Sequence, residues 1–177
     1  MSEQNAQDRE HARAALIDQL THLIDEMEML DSIIGRVPEE VLSGRPWEGE
    51  WTIKELYGLL AAADEQIRLP NLQAVVSEDN PTLEPLNEAA LMSLETWNAW
   101  DIHAILERIR NARTALVNFL RALPPDEWMR TGLLGDVRED VYAIAFRITQ
   151  EDTDYLRALG YRLHESNLTS RPRDLPK

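Results

Sequence analysis

Apolar residues spaced alternately four and three apart constrain this chain more than any other feature. Leu16, Leu20, Leu23, Met27, Leu30 and Ile34 keep that spacing without interruption, and at 3.6 residues per turn such positions form one stripe along a helix. Three later segments repeat it. Ile53, Leu56, Leu60, Ala63 and Ile67 carry a second stripe. Ile102, Ile105, Ile109, Ala112, Leu116, Phe119 and Leu123 carry a third, and Val137, Val141, Ile144 and Ile148 a fourth.

The punctuation agrees with these stripes. Gly35 and Pro38 stop the first segment. Thr52-Ile-Lys-Glu55 is a capping box that opens the second, and Pro70 is expected to end it. Pro81 and Pro85 mark a loop, followed by a short helix from Leu86 to Trp97. The third segment opens near Asp101 and closes at Pro124 and Pro125. The fourth is expected after Gly135, with Asp136 as N-cap, and to run to about Glu165. No stretch alternates at period two for long enough to argue for a sheet. The prediction is an all-α, antiparallel four-helix bundle with a crossover loop and a short extra helix between the second and third long helices. One bundle domain is expected over residues 1–166, with a loose C-terminal segment over residues 167–177.

Composition narrows what such a bundle could do. A chain of 177 residues buries enough surface to need no staple. It contains no cysteine, which removes thiol nucleophiles, thiolate zinc sites and disulfides together and fits a cytoplasmic setting. Met1 to Glu10 is polar and reads as no signal peptide. The longest nearly unbroken apolar run, Leu56 to Ala63, is too short to cross a bilayer. The net charge of −14 repels phosphate backbones and anionic lipid heads. Arg171, Arg173 and Lys177 lie in a Pro-containing tail and form no basic patch. Neither nucleic acid nor membrane is expected as a partner.

Standard catalytic signatures are missing. Of His11, His22, His103 and His164, only His11 follows an acid (Asp8) by three residues, so the paired Glu-x-x-His of di-iron bundles is absent. No Gly-x-Ser-x-Gly elbow or Gly-rich phosphate loop occurs. The pairs Asp25-Glu26 and Asp64-Glu65 read as solvated helix faces, because neighbours on a helix point different ways. Five tryptophans stand near helix ends, and Trp51 and Trp100 are candidate walls of a ligand pocket at one end of the bundle. The fourth stripe is apolar through Ile148 and then presents Glu151 and Tyr155. Either the bundle opens to water there, or a polar cavity forms.

Several stretches resemble one family. Val37-Pro-Glu-Glu-Val-Leu-Ser-Gly-Arg-Pro46 and Trp51-Thr-Ile-Lys-Glu-Leu-Tyr-Gly-Leu59-Leu60 are similar to the entry into the second helix of the DinB-like (YfiT-like) superfamily. Leu120-Arg-Ala-Leu-Pro-Pro-Asp-Glu-Trp128 resembles the link after its third helix. Glu151-Asp-Thr-Asp-Tyr155-Leu-Arg-Ala-Leu159 resembles the fourth-helix segment that in the family usually reads His-Asp-x-Asp-His-Leu-Arg-Gln-Ile. The resemblance implies a four-helix bundle and commonly a zinc or nickel ion held by three histidines. One comes from the second helix and two, four residues apart, from the fourth. Some members are transferases or isomerases dependent on a low-molecular-weight thiol such as mycothiol or bacillithiol.

Those three positions correspond here to Leu59, Glu151 and Tyr155. Leucine cannot ligate and one carboxylate does not make a first-row metal site. The expectation is therefore a member without the three metal-binding histidines, with no metal and no cofactor, whose catalytic residues, if any, are unknown. The former ligand positions would line a pocket. A small-molecule-binding or interaction protein, and a homodimer, are expected. Met29, Ile33, Leu106 and Val117 lie off the main stripes as contact residues. The alternatives are a thiol-dependent transferase or hydrolase-like enzyme, with Glu151 as base and Tyr155 as hydrogen-bond donor, and an adaptor that docks a partner on a helix surface.

Overall fold

The computed structural model describes residues 3–169, with side chains over 7–164. Residues 170–177, with Arg171, Arg173, Lys177 and most of the expected loose segment, lie outside the described residues. Four long helical units make the bundle: α1 (Glu3–Ile34), α3 (Ile53–Ala63) continued by α4 (Leu69–Ser77), α6 (Ile102–Ala122) and α7 (Val141–Thr169). Short helices α2 (Glu39–Leu42) and α5 (Glu88–Ser93) lie in the connections.

The stripes predicted from spacing are the buried faces. Leu16, Leu20, Leu23, Met27 and Ile34 of α1 are all buried, as are Ile105, Ile109 and Leu116 of α6. Thr52 caps α3 as expected, its hydroxyl accepting from the Glu55 amide at 3.1 Å while the Glu55 carboxylate accepts from the Thr52 amide at 2.8 Å. Every residue of α3 is buried. Gly58 makes this close packing workable, because a Cβ there would lie 2.1 Å from the Trp97 ring.

Paired side chains give the helix directions. Along α3 and α7, Arg162 donates to the Trp51 carbonyl at one end and Arg68 bonds Glu151 toward the other, so these helices are antiparallel. Along α1 and α6, His103 meets Asp31 and Arg13 reaches Pro125, again antiparallel. Along α3 and α6, Lys54 donates to Trp100 and Arg108 to Glu65, so this pair is parallel. The chain can run twice in one direction because residues 78–101 cross back over the bundle, as the length of that loop implied. Asn71 pins this crossover, exchanging two bonds of 2.8 and 2.9 Å with the Glu84 backbone.

Two expectations are corrected. Pro70 does not end the second helix. A π turn, Asp64–Arg68, precedes α4, and the Leu69 amide bonds back to the Asp64 carbonyl five residues earlier. The widened turn accommodates the amide that proline lacks and the bulk of its ring at the start of α4. Second, the fourth helix begins at Val141 rather than after Gly135. Before it stands a hairpin, β1 (Thr131–Leu134) and β2 (Val137–Asp140), paired antiparallel with Leu134 opposite Val137. Gly135, at φ 58°, supplies the positive angle that a two-residue type II′ turn takes at its first central position. Asp140, not Asp136, caps α7, accepting from the Ala143 amide at 2.8 Å. Strands of four residues are too short for alternation to show, and Val137 matched the helical spacing while standing 61 % exposed on β2.

Candidate functional site

The apolar core falls into two halves. One gathers Leu23, Met27, Leu59, Ile105 and Leu159 around α3. The other gathers Leu16, Leu20, Leu72, Leu116 and Ile148 around α4. Between them, on three of the four long helical units, sits charge: Asp64 and Arg68 on the π turn, Arg113 on α6, Asp152 on α7. These four side chains meet in a buried ionic layer that crosses the bundle.

Its geometry leaves few polar atoms unused. Arg113 donates Nε to Asp64 Oδ2 at 2.6 Å and Nη1 to Asp152 Oδ2 at 2.6 Å, with a longer bond to the Leu20 carbonyl of α1. Arg68 donates Nη1 to Asp64 Oδ1 at 2.8 Å and to Asp152 Oδ1 at 3.0 Å, and Nη2 to Glu151 Oε2 at 2.9 Å. Arg147 holds the other Glu151 oxygen at 3.0 Å and also bonds Glu139 of β2. Two guanidiniums balance two aspartates in the buried centre, with Glu151 and Arg147 as the half-buried outer pair. Burial alone would push the Asp64 carboxyl up, but Arg113 and Arg68 outweigh it and hold it below the usual aspartate value. Burial would likewise lower both guanidiniums, whereas the carboxylates around them raise them, so both stay charged. The expectation that Asp64 lies on a solvated face is therefore overturned: it is 1 % exposed. Its neighbour Glu65 instead pairs with Arg108 at 2.8 Å.

The three positions singled out by resemblance each have their own partners. Leu59 is fully buried in the α3 half-core. Glu151 sits in the outer part of the ionic layer with each oxygen engaged by a guanidinium, which is neither of the two arrangements expected of it. Tyr155, one turn further on, packs against the α3 half-core and donates its hydroxyl to the Glu88 carboxylate of α5. Burial pushes its phenol above the ordinary value, and the Glu88 bond adds to the rise. Among the described residues, no three His, Asp or Glu side chains are placed to share a metal ion.

Trp100 is half-buried, its ring centroid 5.5 Å from that of Trp97, and the Arg108 guanidinium lies over both at 5.2 and 5.1 Å. Trp51 packs against the α3 half-core. Two surface clefts are lined by other residues. One of about 420 Å³ between α1 and α7 includes His22, Glu26 and Asp152. The other, of about 500 Å³, lies near the opposite end and includes Trp128, Met129 and Tyr142. Of the four histidines, His103 is paired, with Asp31 at 2.7 Å. Arg68, Arg113 and Asp152 were not anticipated. The signal was present: Asp64, Arg113 and Asp152 each stand four residues after a stripe position, Leu60, Ile109 and Ile148.

The fold and the sequence agree on relatives. The solved structure of YfiT from Bacillus subtilis, described as a probable metal-dependent hydrolase with an unusual four-helix bundle topology, superposes with a TM-score of 0.69 at 15% identity, covering 93% of this chain and 90% of that one. The chain thus has the YfiT-type bundle. Residues 19–157 match the DinB superfamily, and the chain belongs to it. Comparison with curated proteins gave no match. Among the described residues no helix is long and apolar enough to cross a membrane.

Proposed function

We propose that this chain is a DinB superfamily protein that works without a metal centre, as a small-molecule-binding or interaction protein of the cytoplasm. One observation carries the reading: the place where the family's ligands are expected is already neutralised from within. Glu151 accepts from Arg68 and Arg147, Leu59 offers no donor atom, and Tyr155 is turned to Glu88. These residues do not fit a divalent ion, which would meet two fixed guanidiniums and lack imidazole nitrogens. The test is elemental analysis of the purified chain together with its melting temperature in excess zinc or nickel. No stoichiometric metal and no ligand-dependent rise are expected. About one metal per chain surviving mild chelation overturns the reading.

The hydrolase described for YfiT supports the competing enzymatic reading, in which Glu151 serves as a base. Against it, both Glu151 oxygens are occupied by permanent cations, so proton transfer would require breaking an ion pair. Ester or amide hydrolysis by the chelated protein, lost in Glu151→Gln, would favour that reading. Self-association is proposed through α1, where Met29 and Ile33 stand 65 % and 50 % exposed one turn apart. Leu106 and Val117, also expected in that contact, are buried within the core and cannot take part. Light scattering across micromolar concentrations checks it, and a monomer mass throughout refutes it.

A further inference from the structure

The cleft beside Trp128 brings aromatic and apolar walls together with two arginines. It lies between the first turns of α1, the link after α6 and the start of α7. Trp128, Met129 and Tyr142 form apolar walls, with Met129 57 % exposed. Two arginines, Arg9 and Arg13, also line the cleft. Arg13 is held in place, donating Nη1 to the Pro125 carbonyl at 3.1 Å with its guanidinium 6.0 Å over the Trp128 ring. Among the described residues neither arginine has a carboxylate within ion-pair distance. In a chain of net charge −14, two arginines beside an aromatic wall, matched in number by Asp126 and Asp140 but not ion-paired to either, concentrate positive charge locally.

The geometry points to a binding site for a small monocarboxylate with a flat or chain-like apolar body, its carboxylate on Arg9 and Arg13 and its body on Trp128 and Met129. The volume of about 500 Å³ falls within the range of small-molecule sites. A guanidinium fork matches a carboxylate in shape. Asp126 and Asp140 also line the cleft, and they disfavour a dianion such as a phosphate ester. Apolar contact supplies most of the affinity and the arginines supply the selection of the acid. This deepens the binding reading above but does not depend on the missing metal, because the cleft is built from none of the former ligand positions.

The test is calorimetric titration of the full chain, with chelator present, using 1-naphthoate, 1-naphthol and 1-naphthyl phosphate. Saturable binding of one naphthoate per chain is expected, with naphthol and naphthyl phosphate each about tenfold or more weaker. The double change Arg9→Gln and Arg13→Gln should bring naphthoate down to the level that naphthol reaches with the same variant. Ala12→Trp, which fills the cleft from α1, should abolish binding of both. Equal affinity for acid and alcohol, tighter binding of the phosphate, or no saturable binding would each overturn the assignment. So would a dimer whose formation is abolished by Ala12→Trp, because the cleft would then belong to a second copy of the chain. A metal-loaded protein that still selects naphthoate would overturn the metal-free reading and leave this one standing.

Discussion

Arginine stands in two contrasting settings in this molecule. Arg68 and Arg113 are almost completely buried between the two half-cores, and their forks are closed by Asp64, Asp152 and Glu151. Arg9 and Arg13 line the cleft by Trp128, beside aromatic and apolar walls and without an ion-pair partner among the described residues. The same functional group does different work because its counter-charge comes from a different place. Inside, the chain supplies it, and the guanidinium becomes part of the scaffold. At the cleft Asp126 and Asp140 line the walls without pairing to either arginine, and the cation stays available to an incoming anion.

The largest effect expected from this contrast is on stability. Arg113→Met leaves Asp64 and Asp152 buried with four of their six guanidinium hydrogen bonds gone, and removing one partner from a buried ion pair costs about 3–5 kcal/mol. Chemical denaturation should show that loss. Replacing the layer as a whole, with Asp64→Leu, Arg68→Met, Arg113→Met and Asp152→Leu together, should cost less than the single change, since no orphan charge remains. If the fourfold variant is the less stable of the two, the layer is a net source of stability and the contrast drawn here needs redrawing.

Acid should probe the same layer. Asp64 is held below its ordinary value of 3.8, so its contribution is complete above that pH and is lost as pH falls through the lower folded-state value. The melting temperature should therefore fall on acidification below about pH 4, and the fall should be smaller in the fourfold variant. An equal fall in both would place the acid sensitivity elsewhere.

Smaller effects complete the series. Thr52→Ala removes one half of the capping box and should cost about 1 kcal/mol, measured by the same denaturation. Arg9→Gln, at an exposed position, should change stability by no more than about 0.5 kcal/mol, as for surface positions in general. A large loss there would make this cleft arginine structural and erase the comparison.

How much of this could be read from the sequence follows from which forces leave a periodic trace. Leu16 to Ile34 and Ile102 to Leu116 announce their helices because burial repeats every three or four residues. The capping box at Thr52 is a local chemical signature and was equally legible. Pro70 misled because the rule that proline ends a helix assumes a regular ladder, and the π turn at Asp64–Arg68 is an irregular one. The hairpin misled because Val137 satisfied a helical spacing by coincidence, while four paired residues leave no alternation to count. The ionic layer was hidden for a different reason. Each of Asp64, Arg113 and Asp152 looks like a polar interruption of its own stripe, and only their meeting in space turns three interruptions into one balanced cluster. The positions matched to the family's ligands could be located by resemblance, but nothing local to Glu151 revealed that Arg68, 83 residues earlier, would engage it.

The ionic layer also governs how such a sequence can drift. Leucines and isoleucines in the two half-cores can be exchanged one at a time for other apolar residues of similar volume at modest cost. No single exchange at Arg113 or Asp64 has that freedom, because the intermediate sequence carries an orphan buried charge. Substitutions at these sites are viable mainly as compensated sets, which makes the layer an epistatic lock. Its residues should change together or not at all in descendants of this chain, while the leucines around them wander independently.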